Sequence, residues 1–179
     1  MNVSQATPLS LADRCRSLHF LVLDVDGVLT RGGITYTGSD ISPVLEAKEF
    51  HVRDGLGLKA WANAGKESAL LTSRWSRAVE VRAAELGITT VLQGVADKAA
   101  AFDALLTARR LNTKQVVFIG DDLADVPVLC RCGLAVAVAD ACPDARAVAH
   151  YVTRMPGGAG AVREVLERVL RCQGLWSTR

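Results

Sequence analysis

Five short apolar runs punctuate the chain: Phe20 to Val25 (FLVLDV), Ser68 to Leu71, Thr89 to Leu92, Gln115 to Ile119 and Leu134 to Val138, each bounded by turn residues. Runs of this kind read as strands covered on both faces, the condition of a parallel sheet. Between them, Gly55 to Ala64, Arg74 to Leu86, Lys98 to Leu111 and Pro143 to Ala149 carry apolar positions three and four apart, and a last such segment covers Gly160 to Arg171. Strand and helix in alternation point to an α/β fold, a Rossmann-like parallel sheet with helices on both faces. His150 to Val152 adds a short edge strand. The segment from Gly33 to Phe50 breaks the order: it alternates with period two around Thr37, Gly38, Ser39 and Asp40, which predicts a β-hairpin flap projecting from the sheet. With 179 residues, 50% of them apolar, and no linker or repeat, residues 1–179 read as a single domain with the hairpin inserted at about 33–50.

The 21 Lys and Arg against 19 Asp and Glu leave a charge of +2 with no basic run, which argues against nucleic acid or an anionic membrane and toward a small-molecule partner. No apolar stretch approaches the roughly 20 residues of a membrane span. The segment from Met1 to Leu18 carries Asp13, Arg14 and Arg16 where a signal peptide needs an apolar block, so a cytoplasmic location is expected. Cys15, Cys130, Cys132, Cys142 and Cys172 form no C-x-x-C and have no nearby His pair; they read as small buried thiols in a reducing compartment.

Chemistry gathers at the strand ends. The first strand runs into Asp24-Val25-Asp26-Gly27-Val28-Leu29-Thr30, and a spacing of two on an extended chain sets both carboxylates on one side. Two such charges about 4 Å apart repel by roughly 4 kcal/mol at an effective dielectric of 20, so Mg2+ is their natural neutraliser. Gly27 allows a sharp turn and the close approach of a ligand. The plainer alternative is a solvated turn Asp beside a helix-capping Asp. The second strand ends in Thr72, whose hydroxyl could donate to a phosphate oxygen or simply cap the next helix. Lys98 follows Asp97 at a helix start, where the helix dipole disfavours a cation, so either an anionic ligand faces it or it is an exposed lysine. The fourth strand ends in Gly120-Asp121-Asp122-Leu123-Ala124-Asp125, three carboxylates in five residues, more than a helix cap requires. Together these ends form an acidic cup able to hold a hard cation.

The set D-x-D-G-V-x-T, then Thr, then Lys, then G-D-D-x-x-D resembles the haloacid dehalogenase superfamily of phosphotransferases. Within it, F-x-V-R-D-G-x-G at Phe50 to Gly57, G-D-D-L-x-D-x-P-V at Gly120 to Val128, A-V-A-D-A at Ala137 to Ala141, and H-Y-V-T-R with G-G-x-G-A-V-R-E at His150 to Glu164 are similar to the 3-deoxy-D-manno-octulosonate 8-phosphate phosphatase family. The likeness runs from about His19 to Leu170, with one departure at Ser73, where the family commonly has Gly. It implies that Asp24 is the nucleophile and that Asp26 protonates the leaving alkoxide and then activates water. It further implies that Mg2+ is held by Asp24, Asp121 and the backbone carbonyl of Asp26, and that Thr72 and Lys98 bind phosphoryl oxygens. Asp122 and Asp125 are left supporting parts, one for a Mg2+-bound water and the other to orient Lys98.

Asp24 to Thr72 is 48 positions and Thr72 to Lys98 is 26, too few for a cap domain in either interval. The resemblance implies instead a homotetramer whose hairpins roof neighbouring sites, with Arg53, Arg74 and Arg163 as candidates for the substrate carboxylate and hydroxyls. For each of these arginines a surface salt bridge is the competing reading. The tail from Gln173 to Arg179 either packs over a neighbour's site or frays. Rival functions are a phosphatase for a nine-carbon, sialic-acid-type 9-phosphate, a receiver-like signalling domain and a catalytically idle relative. The third strand ends in Gln93-Gly94, where a receiver would carry its acceptor Asp, and intact Asp24, Asp26, Lys98 and Asp121 argue against an idle protein.

Overall fold

Each apolar run becomes a strand of one parallel sheet in the computed structural model, which describes residues 9–39 and 41–177. Residues 1–8, 40, 178 and 179 lie outside the described residues, and with them part of the expected leader-free start, Asp40 of the hairpin turn and the end of the tail. In chain order the elements are α1 (Leu11–Arg16), β1 (Phe20–Leu23), β2 (Thr35–Ser39), β3 (Ser42–Ala47), α2 (Val52–Asn63) and β4 (Glu67–Leu71). There follow α3 (Arg77–Leu86), β5 (Thr90–Leu92), α4 (Lys98–Arg109), β6 (Val116–Gly120), α5 (Val126–Leu129), β7 (Leu134–Ala137), α6 (Pro143–Val148), β8 (Tyr151–Val152) and α7 (Ala161–Cys172).

The sheet order is β5-β4-β1-β6-β7-β8, with every pairing parallel. The chain leaves β1 outward through β4 and β5, crosses back to β6, and steps outward the other way. Right-handed crossovers then put α2 and α3 on one face and α4, α5 and α6 on the other. The packing agrees: α2 meets α3 and α7, and α1 meets α7, whereas α4 meets α5 and α5 meets α6. Phe102 of α4 and Phe118 of β6, both fully buried, pack edge to face with centroids 6.4 Å apart and seat α4 on the sheet. The reversal of strand order beside β1 opens a crevice at the carboxyl ends of β1, β4 and β6, where open α/β sheets place ligands. Among the described residues no cap domain is inserted.

Several boundaries move for local reasons. β1 stops at Leu23, two residues early, because the Val25 carbonyl accepts from the amides of Val28, Leu29 and Thr30 and turns the chain. Gln115 closes a 3-10 turn with Asn112 through a reciprocal capping box instead of opening a strand. α2 starts at Val52 because the His51 side chain accepts from the Arg53 amide. The helix α1 was not expected; Ser10 caps it by accepting from the Asp13 amide at 3.2 Å, a spacing of three that signals a helix start.

All five thiols are free, but Cys130 and Cys172 are exposed, so the expectation of uniformly buried cysteines holds only in part. Among the described residues no helix is long and apolar enough to cross a membrane. β2 and β3 form their own antiparallel pair, with Ile34, Tyr36, Ile41, Val44 and Leu45 all exposed.

Candidate active site

Asp24 follows β1, Thr72 follows β4, Asp121 follows β6 and Lys98 opens α4, so the switch point of the sheet collects them. Asp24, Asp121 and Asp125 each bring a carboxylate oxygen to within 4.8 Å of the others. Asp24 is 6% exposed and Asp125 fully buried, so water screens their repulsion poorly. Burial, and then the charge of Asp125, push the Asp24 carboxyl up to about 6. Burial, and then the charges of Asp24, Asp125 and Asp122, push Asp121 up to about 8.

Lys98 sits among them, its Nζ 2.7 Å from Asp125 Oδ1 and 3.0 Å from Asp24 Oδ1. Burial opposes its charge, but Asp24 and Asp125 outweigh burial and hold its pKa above the usual lysine value. Lys98 is therefore not an exposed lysine, and the anions that explain it at this helix start are the protein's own carboxylates. The second oxygen of Asp125 accepts from the Asp121 amide at 2.9 Å and the Asp122 amide at 3.3 Å. Asp122 in turn accepts from the Leu123 amide at 2.8 Å, completing a reciprocal capping box around the 3-10 turn Leu123–Asp125. The three acids do exceed the needs of a cap: Asp122 and Asp125 form it, and Asp125 orients Lys98 besides.

Asp121 is left over. Its Oδ1 is buried and has no hydrogen-bond partner among the described residues. Gly27, at φ 88°, lies so close that a Cβ there would overlap the Asp121 carboxylate, so glycine makes room for an acid as well as for the turn. An orphaned carboxylate oxygen beside Asp24, with the Asp24 and Asp121 carboxyls both pushed above their ordinary range, fits a hard divalent cation that takes oxygen ligands.

Asp26 lies just past the end of β1, in the turn that the Val25 carbonyl closes, and its carboxylate forms an ion pair with Lys48 from the end of the hairpin. Arg74 Nε lies 3.6 Å from Asp26, and Glu46 links the two cations, 3.4 Å from Lys48 Nζ and 2.8 Å from Arg74. Lys48 and Glu46 were missed by sequence reasoning. Their signal was available: two charged residues a spacing of two apart share one face at the end of a strand, and the Lys48 side chain is only 1% exposed.

Thr72 is buried and does not cap α3, whose N-cap position belongs to Ser76, so the capping alternative for Thr72 falls. Ser73 is exposed in the loop after it. Arg53 and Arg163 come together elsewhere, lining a cavity of about 880 Å³ with Arg154, Arg168 and Arg171, which contains none of Asp24, Asp26, Thr72, Lys98 or Asp121. Within the protomer, Arg163 pairs with Glu167 at 3.0 Å and stacks over Trp176, 4.5 Å from its centroid. The tail as far as Trp176 folds back on its own α7, with the Leu175 amide donating to the Leu170 carbonyl at 2.8 Å and Arg163 and Arg171 against the Trp176 ring.

Comparison with known proteins agrees with this geometry. Residues 57–166 match the model of haloacid dehalogenase-like hydrolases. The 3-deoxy-D-manno-octulosonate 8-phosphate phosphatase of Yersinia pestis is 44% identical over 160 residues, 89% of this chain and 83% of that protein. The same-named enzyme of Escherichia coli K12 is 44% identical over 161 residues, 90% and 84% of the two chains. The crystal structure of the phosphatase of that name from Moraxella catarrhalis, in complex with a magnesium ion, a phosphate ion and a KDO molecule, superposes with a TM-score of 0.86 at 37% identity, covering 91% of each chain. A doubly wound sheet with acids at the ends of β1 and β6, a buried lysine between them, and this degree of identity over most of the chain lead to one assignment: the chain belongs to the haloacid dehalogenase-like hydrolases, in the branch of these relatives, and is a phosphoric monoester hydrolase.

Proposed function

We propose that this chain is a cytoplasmic, Mg2+-dependent phosphatase that hydrolyses 3-deoxy-D-manno-octulosonate 8-phosphate to the free sugar acid and phosphate. The observation that carries the reading is Asp24 buried against Lys98 beside the orphaned Asp121 oxygen, in a chain 44% identical to phosphatases of that name.

Asp24 attacks phosphorus and becomes an aspartyl phosphate. Asp26, oriented by Lys48 and Arg74, protonates the leaving oxygen and then, as a carboxylate, takes a proton from the water that cleaves the intermediate. Thr72 and Lys98 bind the phosphoryl oxygens, Lys98 being held for this by Asp125. Asp24, Asp121 and the backbone carbonyl of Asp26 would hold Mg2+, which when bound offsets the repulsion between the anionic nucleophile and the anionic phosphate.

Arg74 stands beside Asp26 and is suited to the sugar acid, while Arg53 and Arg163 would meet its carboxylate once a neighbouring subunit completes the site. Exposed Tyr36, Ile41, Val44 and Leu45 on the hairpin support a homotetramer, because a two-stranded pair with apolar side chains in water needs a partner surface. A screen of Mg2+-dependent phosphate release tests the reading. The eight-carbon 8-phosphate is expected to exceed hexose phosphates and nine-carbon 9-phosphates by about tenfold or more in kcat/KM. Preference for either of the others would replace the proposed substrate.

A further inference from the structure

Helix α7 starts at a residue that cannot cap it. Gly160, at φ 108°, occupies the N-cap position and has no side chain to accept from the third amide of the helix. Asp54, from the first turn of α2, supplies that acceptor: its Oδ1 takes the Arg163 amide at 2.7 Å and its Oδ2 the Gly160 amide at 3.2 Å. Gly57 lets the two helices close far enough for this, since a Cβ there would stand 3.1 Å from the Arg163 Cα. Asp54 is 1% exposed, and a carboxylate so buried is placed for its two amides and not for solvent.

The stretch just before α7 touches the catalytic loop. The Gly158 amide donates to the Val28 carbonyl at 2.9 Å, and Gly157 packs so closely on the Gly27 carbonyl that a Cβ would overlap it. On its other side Gly27 abuts the Asp121 carboxylate. Residues 157–160 are thus wedged between a helix terminus held by Asp54 and the loop that carries Asp24 and Asp26.

We propose that Asp54 is a positioning residue, which by capping α7 from a neighbouring helix holds Gly157 and Gly158 against Gly27 and Val28 and so fixes the catalytic loop. Its catalytic consequence rests on the phosphatase reading above; its structural part does not. Asn is isosteric with Asp but accepts through one oxygen only, so Asp54→Asn releases one of the two amides. Hydrogen exchange in Asp54→Asn is expected to speed up at 157–163 and also, by about tenfold or more, at 27–31. Turnover of p-nitrophenyl phosphate with Mg2+ should lose about tenfold in kcat with KM within about twofold of wild type. Gly157→Ala disturbs the same contact with Asp54 intact and should loosen 27–31 while the Arg163 amide stays protected. A cap that merely stabilises would lower Tm and leave exchange at 27–31 and kcat at wild-type values, which overturns the proposal. Should Asp54→Asn not fold, Gly157→Ala decides by the same two readings. Should the wild type turn over no phosphomonoester, the phosphatase reading falls and exchange alone decides this one.

Discussion

At the carboxyl end of the sheet, Asp24, Thr72 and Lys98 are buried and held by the strands and helices that carry them, whereas the hairpin of β2 and β3 leaves Ile41 98% exposed and Val44 69% exposed. Yet the hairpin also delivers Lys48, whose side chain is 1% exposed, to Asp26. The two regions divide the work. The strand ends pre-form the crevice in which the proposed phosphoryl chemistry takes place, and a projecting ribbon, marginal by itself, reaches Asp26, the proposed general acid, and leaves apolar side chains exposed for the proposed subunit contact.

The largest effect that could break this division is expected at Asp24. Asp24→Asn should lower kcat by roughly 10⁴-fold or more with Tm unchanged or higher, because it removes the proposed nucleophile and also one of three mutually repelling acids. Near-normal phosphate release would move the chemistry elsewhere. On the hairpin side, Lys48→Met should lower kcat by about 10- to 100-fold and leave the sheet intact by circular dichroism, since Asp26 loses its closest cation. An unchanged kcat would reduce Lys48 to a structural ion pair.

If the proposed tetramer forms through the hairpin, replacing Val44 and Leu45 together by Asp should lower the mass seen by light scattering toward that of a monomer. It should also reduce kcat/KM for the sugar acid phosphate by about tenfold, with p-nitrophenyl phosphate changing less than about twofold. Equal losses on both substrates would mean that the hairpin serves the chemistry and not recognition.

The smallest effect sharpens the account of the acidic cup. Asp24 near 6 and Asp121 near 8 both stand above their ordinary value of 3.8, so the folded chain binds more protons than the unfolded one between about pH 4 and 8. Chelated protein should therefore lose stability as pH rises through that window. A cation needs the deprotonated acids, so the gain in Tm on adding Mg2+ should be a few degrees larger at about pH 8 than at about pH 6. A gain independent of pH would separate metal binding from these carboxylates.

How far the chain could be read in advance differs between sheet and hairpin for the same reason. A strand end is a local event: an apolar run stops and an acid or hydroxyl follows, so Asp24, Thr72 and Asp121 were legible, as was Lys98 at the following helix start. Which acid would do what was not. Asp122 and Asp125 look alike in the chain, but one caps a single turn while the other accepts from two amides and Lys98. Asp26 was expected on the same side as Asp24, but that Lys48 and Arg74 would be its cations was not legible. Lys48 and Glu46 carried no reading in the sequence, because Asp26, the partner of Lys48, lies 22 residues away in the chain.

Alternation of apolar runs with helical periods determined the α/β class, the parallel sheet and the hairpin, because burial on two faces and periods of 2 and 3.6 are properties of neighbouring residues, and the short intervals from Asp24 to Thr72 to Lys98 left no room for a cap. The partnerships across the chain were decided only by the tertiary structure: Asp26 with Lys48, Lys98 with Asp125, and Asp54 with the amide of Arg163, 109 positions away. A charge written in a sequence carries its sign but not its surroundings, and only the folded chain settles which amide, cation or second acid lies against it once water is gone.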